Sequence, residues 1–219
     1  MGTAGEAYLV HPEGGAGVGP GVMVLSSWWG LTPACKERCH ALADLGYVAL
    51  APDLMAGVQP DTSAEAELEL AASDPNTTAA LVLSSLVALR TQTRNPEGGV
   101  AVIGWSMGAS WAVWAATRQP LSVSAAVAYY GTQDIDFSDL RAPILGHFGT
   151  DDEVVSEDLD TEMHAHLLLL DKSVVIHHYA GARHFFAETE SVEAYDSAAE
   201  ALAWDRTVEF LAAHQSSSQ

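Results

Sequence analysis

The chain is predicted to fold as an α/β domain with a mostly parallel, doubly wound sheet flanked by helices. Short apolar segments alternate along it with longer helical patterns. Those short segments are apolar over their whole length, which is typical of strands buried on both faces. The composition, 48% hydrophobic and 17% charged, excludes disorder. At 219 residues we expect one domain over 1–219.

The strands are predicted from runs of apolar and β-branched residues that end at glycine, proline or polar clusters. A glycine-rich loop over 13–21 separates the first two strands, and Pro52-Asp53 stops the third. The predicted strands are 7–10, 22–26, 47–51, 100–103, 124–130, 144–148 and 174–179.

The helices are predicted from their start and stop signals. Pro33 opens the first helix and Gly46 ends it. Thr62 and Glu65 form a capping box for a short acidic helix, and Asp74, followed by proline, caps the next one. The predicted helices are 33–45, a short one after 62, 75–94, 109–117, 156–170 and 197–214, followed by a frayed polar tail over 216–219.

The segment Gly104-Trp105-Ser106-Met107-Gly108 has the pattern G-x-S-x-G between a predicted strand and a predicted helix. This context predicts a nucleophile elbow, in which the serine lies on a strained turn. The glycines let strand and helix pass close together, and the helix N-terminus offers N–H groups to an oxyanion. The alternative is an ordinary βα turn with a serine N-cap.

A serine hydroxyl needs a base, and the base needs an orienting acid. His184 stands in a loop just after the last predicted strand, which suits a base for Ser106. Asp151 and Asp152 follow the preceding strand, so the order serine, acid, histidine is that of a hydrolase triad. Spacing alone does not choose between the two aspartates.

The oxyanion hole is expected to take one N–H donor from Met107 and a second from Trp28, in the loop after the second strand. Trp28 and Trp29 either line an apolar acyl or alcohol pocket or only cover the sheet edge. Trp29, Ser27 and Phe185 are the candidate substrate contacts.

The formal net charge of −20 argues against nucleic acid and anionic membrane surfaces as partners, and more weakly against an anionic substrate. No apolar run approaches the about 20 residues of a membrane span, and nothing suggests export. We therefore expect a cytoplasmic monomer or small homo-oligomer that binds a small-molecule ester or lactone. Cys35 and Cys39 are predicted to be free thiols, and no metal or cofactor is expected.

From Tyr8 to about Leu211 the sequence resembles the dienelactone hydrolase family. The segments that carry the resemblance are 28–31, 46–54, 104–108, 130–131, 147–152, 179–185 and 195–211. The resemblance implies a compact α/β-hydrolase fold without a large cap. It places the triad on Ser106, Asp152 (rather than Asp151) and His184, and the oxyanion donors on Met107 and Trp28.

The chain departs from the family's pattern at three places. The family usually has cysteine where Ser106 stands, an activating glutamate at the position of Ser27, and arginines that hold the carboxylate of dienelactone. Residues 53–60 and 185–191, where those arginines would fall, contain none. These departures imply a serine esterase for small neutral esters or lactones. The alternatives are hydrolysis of dienelactone (carboxymethylenebutenolide) itself, acyl transfer to another acceptor, and a non-enzymatic binding module.

Overall fold

The computed structural model describes residues 5–215, and within them a seven-stranded sheet lies between two layers of helices. The strand order is β1-β3-β2-β4-β5-β6-β7. Every neighbouring pair is parallel except β1 and β3, so the prediction of a mostly parallel sheet is confirmed. The strands are β1 (Ala7–Val10), β2 (Gly21–Leu25), β3 (Val48–Pro52), β4 (Val100–Trp105), β5 (Val123–Tyr129), β6 (Ile144–Gly149) and β7 (Val174–Tyr179).

The helices of residues 5–215 are α1 (Pro33–Asp44), α2 (Ser63–Ala72), α3 (Pro75–Gln92), α4 (Met107–Arg118), α5 (Glu157–Leu169) and α6 (Ser197–Gln215). None of them is long and apolar enough to cross a membrane. The predicted caps are present: Thr62 accepts from the Glu65 N–H, and Asp74 accepts from the Asn76 N–H. Glu65 returns its bond to the Asp61 N–H rather than to the cap residue. The tail predicted over 216–219 lies outside the described residues.

Two apolar cores cover the two faces of the sheet. One core joins the sheet to α1 and α6, with Ala66 of α2 at its border, and the other joins it to α3, α4 and α5. Alternate residues of β4 enter opposite cores, as with Ile103 on the first side and Val102 on the second. The strand that leads to the elbow is therefore fixed from both faces.

At this elbow both boundaries differ from the prediction by two residues. β4 runs two residues beyond the prediction to Trp105, and α4 begins at Met107, two residues before the predicted start. Trp105 is buried and its ring stacks on Tyr129 at 5.0 Å, which keeps the chain extended up to the turn. Only Ser106 is left between strand and helix. β3 also includes Pro52, which was predicted to stop it.

A buried polar chain ties β5, β6 and β7 to α6. His147 Nδ1 lies 2.8 Å from the Tyr179 hydroxyl, and its Nε2 lies 3.1 Å from Thr207 Oγ1. Thr207 Oγ1 lies 2.7 Å from the Tyr129 hydroxyl. These groups are buried, so an unpaired polar atom among them would be costly, and the bonds hold α6 in a defined place on the sheet.

Cys35 and Cys39 are free, as predicted, and both are buried on α1. Burial raises the pKa of the Cys35 thiol to about 12, and it raises the pKa of Cys39 as well. Both groups are therefore protonated thiols near neutral pH, which leaves them poor nucleophiles.

Candidate active site

Ser106 occupies the whole turn between β4 and α4, with φ 49° and ψ −116°. Few residues with a side chain adopt this backbone conformation, which stores on the order of 1–3 kcal/mol of strain. A Cβ on Gly104 would run into the Gly108 carbonyl, and one on Gly108 would run into the Leu25 carbonyl. Both glycines of the motif are thus required by the close passage of β4, α4 and β2.

The side chains of Ser106, His184 and Asp152 form one hydrogen-bonded chain. Ser106 Oγ lies 2.8 Å from His184 Nε2, and His184 Nδ1 lies 2.8 Å from Asp152 Oδ2. The side chains of His184 and Asp152 are each 2% exposed. An ionised carboxylate can only accept, so Nδ1 donates to Asp152 and Nε2 is left to accept the serine proton. This arrangement can draw the proton from Ser106 during attack on a carbonyl.

Asp152, rather than its neighbour Asp151, is brought to the histidine. Its second oxygen, Oδ1, accepts the backbone N–H groups of Val154 and Val155, both at 2.8 Å. Asp151 is exposed, and its carboxylate accepts from the adjacent Thr150 hydroxyl. The turn after β6 therefore locks the orientation of one carboxylate and leaves the other in solvent.

The two predicted oxyanion donors lie on segments that touch each other. Met107 is the first residue of α4, and Trp28 lies in residues 26–32, which we call the oxyanion loop. Gly108 lies against the carbonyls of Leu25 and Ser26, so the start of α4 meets the end of β2. This proximity suits a hole made by the Met107 and Trp28 N–H groups, a role that stays a prediction.

An aromatic cluster lies beside the histidine. Phe185 stacks on Trp28 with ring centroids 5.3 Å apart, and Trp29 lies 5.8 Å from each of them. Phe185 adopts a φ of 65°, which is strained for a residue with a side chain. Its ring lies between the His184 ring and the two tryptophans. Trp29 and Phe185 are 7% and 8% exposed, whereas Trp28 is half-buried. Trp28 is therefore the most exposed residue of this cluster.

Glu188 is a buried carboxylate at this site that the sequence analysis did not single out. Ser27 Oγ donates to Glu188 Oε1 at 2.5 Å, and the Tyr130 hydroxyl donates to Oε2 at 3.0 Å. Ser27 is only 1% exposed and its hydroxyl donates to this carboxylate, and its role as a substrate contact stays a prediction. A glutamate after Phe-Phe-Ala was the one available signal in the sequence, and it does not identify the partners.

Arg38 of α1 lies next to this carboxylate. Its guanidinium donates to the Ala187 carbonyl and lies 4.5 Å from the centre of the Trp105 ring. Burial raises the pKa of the Glu188 carboxyl, and the positive charge of Arg38 acts in the opposite direction. Arg38 therefore acts on Glu188 through its charge, and its hydrogen bond goes to the neighbouring Ala187 carbonyl.

A doubly wound sheet that delivers a serine on a strained turn, with a histidine and an aspartate after later strands, defines an α/β-hydrolase. The chain belongs to the dienelactone hydrolase family, whose family model matches residues 6–215. Over 212 residues it is 30% identical to a carboxymethylenebutenolidase of Pseudomonas putida. The aligned region covers 90% of this chain and 87% of the relative. The protein is thus an enzyme that hydrolyses carboxylic ester bonds.

Two solved structures share the fold. A dienelactone hydrolase-like promiscuous phosphotriesterase from metagenomic libraries is 24% identical with a TM-score of 0.81, covering 95% of this chain and 92% of its own. A propionate-bound thermophilic esterase of Thermogutta terrifontis is 15% identical with a TM-score of 0.68. The match covers 95% of this chain and 90% of the esterase chain. Across the part of the chain that the structure describes, no group of three or more His, Cys, Asp or Glu side chains is placed to hold a metal ion.

Proposed function

We propose that the protein is a serine-dependent hydrolase of small neutral esters or lactones that works through an acyl-enzyme. The observation that carries the proposal is the hydrogen-bonded chain from Ser106 through His184 to Asp152. Both distances, 2.8 Å, are within the range that proton transfer from a serine hydroxyl requires, and a proton on Nδ1 facing Asp152 would leave Nε2 to accept it.

In the first half-reaction Ser106 Oγ attacks the carbonyl carbon while His184 Nε2 accepts the hydroxyl proton. The carbonyl electrons move onto oxygen, where the N–H groups of Met107 and Trp28 hold the charge. Asp152 stabilises the imidazolium that has formed. The tetrahedral intermediate then expels the alcohol, which takes the proton from His184, and Ser106 is left acylated.

In the second half-reaction water replaces the alcohol. His184 Nε2 accepts a proton from water as its oxygen attacks the acyl carbon, and the same donors hold the second oxyanion. Collapse breaks the bond to Ser106 Oγ, which recovers its proton from His184, and the carboxylic acid leaves. No further reactant is needed for this balance.

A neutral substrate fits the charges around the site. Arg38 is engaged by the Ala187 carbonyl and the Trp105 ring, and Arg183 pairs with Glu153. Neither cation is free to hold a substrate carboxylate. The half-buried Trp28 instead offers an aromatic face beside the triad, which favours an apolar acyl or alcohol group.

Ser106→Ala tests the proposal directly. We expect it to lower the turnover of p-nitrophenyl acetate by at least ~10³-fold, because the nucleophile is lost while the fold is kept. Ser110→Ala is the matched control, since Ser110 lies one helical turn further on and donates to the Thr132 carbonyl. Turnover that survives in Ser106→Ala would end the proposal.

Hydrolysis of dienelactone is a second candidate, favoured by the name of the Pseudomonas putida relative. The same triad would open the lactone, so the two candidates differ only in how a substrate carboxylate is bound. A comparison of kcat/KM for dienelactone with a series of p-nitrophenyl esters decides between them. Product analysis with added alcohols separates hydrolysis from acyl transfer.

A further inference from the structure

We propose that Glu188 is a positioning residue that fixes the oxyanion loop against the segment carrying His184. This inference rests on the function proposed above and names the group that sets its geometry. Residues 180–188 are called the histidine loop here. Glu188 does not touch the reacting atoms and acts through Ser27 and Tyr130.

The first link runs from Glu188 to the oxyanion loop. Ser27, which donates to Oε1 at 2.5 Å, directly precedes the proposed donor Trp28. The Trp29 N–H lies 3.4 Å from Ser27 Oγ, so the same hydroxyl also receives a weak bond from within the loop. A distance of 2.5 Å lies at the short end of the range for hydrogen bonds between two oxygen atoms. The bond holds the backbone on either side of Trp28.

The second link runs from Glu188 to Tyr130, whose ring packs against His184. Tyr130 donates to the other carboxylate oxygen, and its ring lies 4.9 Å from the His184 ring. Tyr130 has a φ of 41°, and its N–H donates to the His147 carbonyl at 2.8 Å. A tyrosine in this strained conformation needs an external constraint, and the bond to Glu188 supplies one.

The third link runs through the backbone of the histidine loop. The Glu188 N–H donates to the Phe185 carbonyl at 2.9 Å, which makes a turn directly after His184. Arg38 donates to the carbonyl of Ala187, next to Glu188. One carboxylate therefore joins three segments that are distant in sequence: the oxyanion loop, the end of β5 and the histidine loop.

This arrangement matters for catalysis because an oxyanion hole works only when its donors lie about 2.7–3.1 Å from the developing charge. A loop that shifts by about 1 Å can lose on the order of 10²-fold in rate. The charge develops in the transition state, so a looser loop lowers kcat and changes KM little.

Glu188→Leu removes both acceptors while keeping an apolar side chain of similar size. We expect kcat for p-nitrophenyl acetate to fall about 10- to 100-fold, with KM changed less than about threefold. Glu188→Gln keeps one carbonyl oxygen for Ser27 and should recover most of the loss. Glu193→Gln, an exposed carboxylate a few residues along the chain, is the control.

Ser27→Ala supplies a readout that a purely structural role would not move. If Glu188 acts through Ser27, the double variant Ser27→Ala/Glu188→Leu should be no slower than the slower single variant. Independent effects on folding would instead multiply. Should Glu188→Leu not fold, Ser27→Ala alone carries the test, because it removes the same bond from the other side; a kcat within about twofold of wild type would then overturn the inference.

Two results would overturn the inference while leaving the proposed function intact. One is a kcat for folded Glu188→Leu within about twofold of wild type; the other is losses that multiply in the double variant. In either case Ser106→Ala would still be inactive. An active Ser106→Ala variant would refute the proposed function itself, whatever the Glu188 variants show.

Discussion

Asp152 determines which nitrogen of His184 carries the proton. Its Oδ2 accepts a hydrogen bond from Nδ1–H, and its Oδ1 accepts hydrogen bonds from two backbone N–H groups of the following turn. The imidazole therefore presents its unprotonated Nε2 to Ser106. The neighbouring Asp151 carries the same carboxylate but does not contact His184, so a substitution of Asp151 is a control for a substitution of Asp152.

Asp152→Asn should lower kcat for p-nitrophenyl acetate by about 10³- to 10⁴-fold, because an amide can donate to Nδ1 and trap the wrong tautomer. Asp151→Asn should stay within about threefold of wild type, since its side chain is exposed. Steady-state kinetics on both variants checks the prediction. Equal losses in the two variants would contradict the assignment of the acid.

The sequence predicted Ser106 and His184 as candidates because each is marked locally, one by its glycines and one by its place after a strand. Asp152 needed the family resemblance, since adjacent aspartates look alike until the turn is formed. Glu188 could not be found in this way. Its partners Ser27 and Tyr130 are 161 and 58 residues away, and no local pattern links a buried carboxylate to them.

Among the secondary-structure elements, the buried chain through His147 joins β6 to β7 and α6. Burial, together with the positive charges of His177 and Arg206, lowers the pKa of His147 to about 3. In the unfolded chain the same imidazole titrates near its ordinary 6.5. The folded state therefore binds fewer protons between these two pH values, and its free energy of unfolding falls as the pH falls.

His147→Gln should make the free energy of unfolding depend less on pH. Between pH 6.5 and pH 4.5 the wild type should lose up to about 1.4 kcal/mol of unfolding free energy per pH unit through His147 alone. The variant starts less stable because it loses packing and one of two hydrogen bonds, but its slope should be smaller. Urea unfolding at four pH values measures both slopes. Parallel slopes would show that His147 is not the group responsible.

Most elements could be predicted because an apolar run or a cap marks each of them. The bounds of the elbow could not be predicted, since the preferences of Trp105 and Met107 do not fix how many residues the turn between them takes. The stack of Trp105 on Tyr129 and the passage of Gly108 against β2 decide where β4 ends and α4 begins. The antiparallel pairing of β1 with β3 could not be predicted either, because an apolar run predicts a strand but not the direction of its partner.

For the molecule as a whole, the net charge of −20 acts on a charged substrate before it reaches Ser106 and leaves a neutral one almost unaffected. Such a field repels anions over distances comparable to the Debye length and is weakened by salt. The effect adds to the engagement of Arg38 and Arg183 by other groups. The protein should therefore separate esters of equal size by their charge.

p-Nitrophenyl valerate and p-nitrophenyl glutarate monoester carry acyl groups of the same length and differ in a terminal carboxylate. We expect kcat/KM for the anionic ester to be at least ~10-fold lower than for the neutral ester at low ionic strength. The difference between the two kcat/KM values should become smaller in about 0.5 M salt, because salt screens the charges. Initial rates at two salt concentrations suffice. A preference for the anionic ester would favour dienelactone as the substrate.

The hydrogen bond between Ser27 and Glu188 also has an evolutionary consequence. A glutamate buried at this place needs a donor for each of its oxygens, and loss of the Ser27 hydroxyl would leave Oε1 without the bond to Ser27 while Tyr130 still serves Oε2. The two positions, 161 residues apart, should therefore be inherited together. In an alignment of homologues, lineages that lose the hydroxyl should lose the carboxylate too, so the pair should be detectable as a covarying couple without further structures.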